Sequence, residues 1–127
     1  MLTARDPGEA YRRVDFDARV SGASAHQLVD LCFEQFGGSI DRAIFAAGRN
    51  DNAMKSAALT RAVAALIALQ MGVDGSAPAG TALLQLYDSA RKAVLDCAVR
   101  FDADKLRRIQ ADFAEIREAL RGAATAG

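Results

Sequence analysis

The hydrophobic pattern is densest between Ala62 and Leu69, where A-V-A-A-L-I-A-L stands between Arg61 and Gln70 without a polar side chain. At about 100° per residue these positions cover the whole circumference of a helix, leaving no face for water. Such a helix has to be covered on every side. Its side chains sort into two stripes. Leu59, Ala62, Leu66, Leu69 and Val73 follow alternating steps of three and four and form a core stripe of mostly large groups. Ala57, Ala64, Ile67, Ala68 and Met71 form the opposite stripe, which is nearly all alanine. Cover for that second stripe must come from another helix of the chain or from a partner.

The flanking pattern predicts three more helices. Ser24 and Gln27 have the spacing of a capping box, and the helix they open runs from about Ala25 to Ala47. Its apolar strip is Leu28, Leu31, Cys32, Ile40 and Ala43, widened by Val29, Phe33 and Phe36. Gly37 and Gly38 in its middle cost roughly 1 kcal/mol each relative to alanine, which points to a close helix crossing or a bend. Gly48-Arg49-Asn50-Asp51 is a polar break in which Asn50 or Asp51 caps the second helix, which runs to about Val73. After the turn Asp74 to Pro78, the third helix runs to about Arg100 with Leu83, Leu86, Tyr87, Ala90, Val94, Cys97 and Phe101 at core spacing. Leu84 and Leu95 fall off that line, toward a groove.

Asp102 caps a fourth helix on which Leu106, Ile109, Phe113, Ile116 and Leu120 recur without a miss. Its other face is charged, with Asp104 spaced to pair with Arg108. Gly122 is expected to stop it. Short breaks between long helices predict an all-α, antiparallel up-and-down four-helix bundle. The expected division is an N-terminal helical arm over 1–22, the bundle over 23–121 and a disordered tail over 122–127. The arm is dominated by charge, but Tyr11 and Val14 lie three apart and suit a groove if a turn of helix forms.

Composition narrows the function. A chain of 127 residues makes one domain without metals or disulfides. Sixteen basic and sixteen acidic residues cancel, against a nucleic-acid partner. No apolar run reaches the roughly 18 residues of a membrane span and no signal segment opens the chain, so a cytosolic location is expected. Cys32 and Cys97 read as small buried hydrophobes. His26, the only histidine, has no second ligand at metal spacing, and no cofactor motif is present. No serine or cysteine has a base beside it in sequence. An enzyme gathering Arg42, Arg61 and Arg91 around an acidic substrate is the weakest alternative. A second is a dimerisation module in which the Ala57 to Met71 stripe meets its own copy.

Ala23 to Glu34, A-S-A-H-Q-L-V-D-L-C-F-E, resembles the A-S-P-H-Q-L-I-x-x-L-F/Y-D-G signature on the first long helix of the flagellin-specific export chaperones, the FliS family. Leu83, Leu86, Tyr87 and Asp88 match that family's L-x-x-L-Y-D on the third helix, and Ala10 to Asp15 is similar to its N-terminal tyrosine segment. The chain departs from the pattern at Ala25 in place of proline, at Gln35 in place of glycine, over Ser76 to Leu83, at Leu120 in place of a terminal tryptophan, and at Ala64, Ile67 and Ala68, which are apolar where that family tends to carry polar groups. The resemblance implies a chaperone, not an enzyme, holding the C-terminal helical segment of flagellin before export. Taken together with the second stripe of helix two and the off-line Leu84, it points to partner contacts from Tyr11 and Val14 on the arm, Ala57, Ala64, Ile67, Ala68 and Met71 on helix two, and Leu84 and Tyr87 on helix three. Other flagellar export components and a second copy of the chain are the further partners considered.

Overall fold

The computed structural model describes residues 24–126, with side chains as far as Ala123. Four helices account for nearly all of it: α1 (Ala25–Gly48), α2 (Asn52–Met71), α3 (Gly80–Val99) and α4 (Ala103–Ala126). No strand occurs among the described residues. The expected caps form. Ser24 Oγ accepts from the Gln27 amide while Gln27 Oε1 accepts from the Ser24 amide. Asp51, rather than Asn50, caps α2 through the Met54 amide, because Asn50 takes a left-handed backbone with φ 57° to close the turn. Asp102 accepts from the Lys105 amide at the start of α4.

Two expected ends move. α2 stops at Met71, two residues early, and α4 does not stop at Gly122 but continues to Ala126. Gly122 is too weak a breaker when the following residues are mostly alanine, the best helix former. The arm over 1–22 lies outside the described residues, and Tyr11 and Val14 with it.

The helices sit at the corners of a square, with α1 against α2 and α4, and α3 against α2 and α4. The α1–α2 seam is the most extensive and the α3–α4 seam the thinnest. Small buried groups explain the first, since α2 turns Ala58, Ala62 and Ala65 inward and lets α1 approach closely. The core is centred on Phe36, Ile40, Leu66, Val94 and Leu106, all excluded from solvent. Around them Phe113 gathers three other rings, with centroids 4.8 Å from Phe36, 5.8 Å from Tyr87 and 6.0 Å from Phe33. These separations suit tilted aromatic packing.

Gly37 and Gly38 do not mark a close crossing within the described chain. A methyl at either would meet nothing within 4 Å, and α1 passes through them as continuous helix. Gly80 is different: a methyl there would fall on the Asp74 carbonyl, where the α2–α3 turn folds back over the first residue of α3. Leu86 is also a correction, since it is 38 % exposed beside the thin α3–α4 seam rather than in the core. On α4, Asp104 reaches Arg107 at 3.5 Å instead of Arg108.

A candidate partner-binding surface

The second stripe of α2 is uncovered by the described chain. Ala57, Ala64, Ile67, Ala68 and Met71 are all exposed, Met71 at 83 %, whereas Leu59, Ala62, Leu66 and Leu69 are buried. Helical spacing sets Leu84, Asp88, Arg91 and Leu95 on the flank of α3 turned to α2, and Leu86 and Ala93 on the flank turned to α4. Leu84 lies half-buried against Gly75 of the intervening turn, while Leu95 and Val99 are open to solvent. Ile67 and Met71 at one end and Leu95 and Val99 at the other thus frame an apolar surface along the α2–α3 seam. Charge enters it with Asp88 and Arg91: Asp88 accepts from Arg91 at 2.6 Å and faces Lys92 at 3.1 Å. These two cations, Arg91 first, hold the Asp88 carboxyl below its ordinary range.

Tyr87 is not on that surface. It is 2 % exposed and packs edge-on to Phe33 at 6.4 Å, and burial pushes its hydroxyl pKa up. It forms instead part of the wall of a cleft of about 690 Å³ at the end of the bundle where α1 and α3 begin and α2 and α4 finish. Val29, Phe33, Leu69, Val73, Leu83 and Leu120 supply the cleft's apolar lining, and His26 stands in its wall two residues after Ser24.

A charged clasp borders the cleft. Arg117 donates from Nε and Nη2 to the two oxygens of Asp30 at 2.7 and 2.8 Å, and Arg121 does the same at 2.8 and 2.9 Å. Arg121 also reaches Glu118 at 3.3 Å and Arg117 lies 4.0 Å from Glu34. Bonds from Arg117 first, then Arg121, hold the Asp30 carboxyl well below the usual carboxylate range. Nothing in the local sequence marks this clasp, because its partners are 87 and 91 residues apart. A depressed folded pKa makes the stabilisation complete above the unfolded value of about 3.9 and removes it as pH falls through the folded value. Asp30→Asn is therefore expected to lower the melting temperature at pH 7 by roughly 4 °C, about 1 kcal/mol for a partly screened pair. Melting curves by circular dichroism should show that difference shrinking as pH falls below about 4.

Among the described residues no group of three His, Cys, Asp or Glu side chains could hold a metal ion, and no helix is long and apolar enough to cross a membrane. Arg42, Arg61 and Arg91 do not converge on either described cavity. A sequence profile of the family described as "Flagellar protein FliS" matches residues 7–126. The chain belongs to the FliS family. It is 28 % identical over 116 residues to the flagellar secretion chaperone FliS of Salmonella typhimurium, covering 89 % of this chain and 86 % of that protein. The family is one of chaperones and not of enzymes. The stretches of the FliS signature fall at distinct places in the bundle: Ser24 and Gln27 cap α1, while Leu83 and Tyr87 line the end cleft.

Proposed function

We propose that the chain is a cytosolic flagellar export chaperone that binds the C-terminal helical segment of flagellin along the α2–α3 surface. The observation that carries this reading is the uncovered second stripe of α2, on which Ile67 and Met71 are exposed, with Leu95 and Val99 exposed on α3. An amphipathic client helix laid there would cover side chains the bundle leaves in water, in a helix-in-groove mode. A client segment that is disordered when free loses several kcal/mol on ordering, which an extended apolar contact offsets. Ala57, Ala64 and Ala68 would let the client backbone approach α2, and Leu84 would border the contact at the turn. Tyr87 would act through the end cleft, while Tyr11 and Val14 of the arm would be the groups that cover the client surface when flagellin is absent.

Titration of the full chain with a peptide spanning the C-terminal helix of flagellin, followed by calorimetry and circular dichroism, tests the reading. Saturable binding with a negative heat-capacity change and added helicity is expected. Absence of binding at high micromolar peptide would refute it.

A further inference from the structure

The outward face of α1 carries an anomaly that the client surface does not absorb. Phe45 is 56 % exposed there, directly opposite the core-facing side of the helix, with the Arg49 guanidinium 5.4 Å from its ring centroid. Two turns earlier on the same face is Gly38, next to Gly37, and neither glycine meets any atom of the bundle that would require it. Beside them a depression of about 340 Å³ opens between α1 and α4, bounded by Glu34, Gly37, Gly38, Asp41 and Gln110. Gln110 fixes its floor by donating to the Gly37 carbonyl at 3.0 Å and to Asp41 at 2.8 Å. An exposed ring and an unfilled hollow thus lie on one helix face, too far apart along the helix to satisfy each other.

The charges on this face are segregated. Along the helix the acids Glu34 and Asp41 come before the bases Arg42 and Arg49, the last of these capping its end. The order is self-complementary about the peptide between Asp41 and Arg42. If a second α1 is laid antiparallel across that point, Glu34 meets Arg49, Gly38 meets Phe45, and Asp41 meets Arg42, each twice. A two-fold contact demands this reciprocity, in which residue i touches j and j touches i.

We infer that the outer face of α1 binds α1 of a second copy of this chain, antiparallel, with each Phe45 seated in the hollow at the other's Gly37 and Gly38 and the Glu34–Arg49 pairs closing the ends. Glycine at those positions leaves room for the ring, which accounts for two residues that only weaken α1 in the single chain. The ion pairs fix register and direction more than they add affinity. Because α1 and α3 occupy opposite corners, this face points away from the α2–α3 seam and leaves the client surface open. One helix pair is a small contact, so association is weak and visible at high protein concentration.

Sedimentation equilibrium of the full chain from micromolar to millimolar concentration is the test. A reversible dimer is expected, weakened about tenfold or more by Phe45→Ala. Glu34→Arg and Arg49→Glu should each weaken it, and the two together should restore it. Ile67→Asp should leave it unchanged. Phe45 is exposed, so the alanine variant is expected to melt as the parent does and to bind the flagellin peptide as before, keeping this contact separable from the client surface. A monomer at every concentration overturns the inference, as does a dimer indifferent to Phe45→Ala, one lost with Ile67→Asp, or a double charge swap without recovery.

Discussion

Replacing Ile67 and Met71 together by aspartate will weaken binding of flagellin's C-terminal segment by about 100-fold or more, while the melting temperature stays close to that of the parent chain. The two halves of this expectation have different causes. Both side chains are exposed, Ile67 at 42 % and Met71 at 83 %, so their removal opens no cavity, and surface changes of this kind generally stay within about 0.5 kcal/mol of neutral. In a complex, however, each aspartate would carry an unpaired charge into an apolar contact. Losses of about 2 kcal/mol at anchor positions are usual, and two of them exceed the roughly 2.7 kcal/mol that corresponds to 100-fold. Calorimetric titration with the flagellin peptide and a thermal melt on the same sample decide it. Unchanged affinity would remove the α2 face from the client surface. Lost affinity accompanied by a collapsed melt would mean that the stripe is part of the core after all.

The largest effect on stability is expected at Phe113. Its ring lies 3 % exposed among Phe33, Phe36 and Tyr87 and packs against all three from α4. Truncation to alanine removes that shared contact and leaves a hollow the surrounding rings cannot fill by rotation alone. A loss of about 3–5 kcal/mol follows, a large part of the 5–15 kcal/mol that typically separates a folded domain from its unfolded state. Urea unfolding should show the midpoint falling steeply without a gain in slope. Leu86→Ala is the contrasting case: it also shortens an apolar side chain, but one already 38 % exposed at the thin α3–α4 seam, and should cost well under half as much. Equal effects at the two positions would contradict the arrangement of the core.

Much of the bundle was written into short-range pattern. The Ser24–Gln27 capping box, the Asp102 cap and the three-and-four spacing on α4 are local, so neighbouring residues suffice to predict them. The two stripes of α2 were legible for the same reason, since an eight-residue run without a polar group excludes an ordinary solvated face. That one stripe would be uncovered was not legible, because periodicity says that a face needs cover and not which element supplies it. Tyr87 and Leu86 show the limit on α3: adjacent residues both fit core spacing, yet Tyr87 meets Phe113 while Leu86 faces a seam where α4 hardly approaches. The Asp30 clasp joins positions 87 and 91 residues apart, and only the fold brings them within hydrogen-bonding distance. Gly37 and Gly38 announced themselves in sequence as a local cost, but whether anything packed on them was a question of neighbours. Helix positions and their apolar faces were therefore determined by the sequence alone, through capping and period. Which faces stay open, which charges meet and which glycines lack a crossing partner were decided only by tertiary packing, since each depends on distances between residues far apart along the chain.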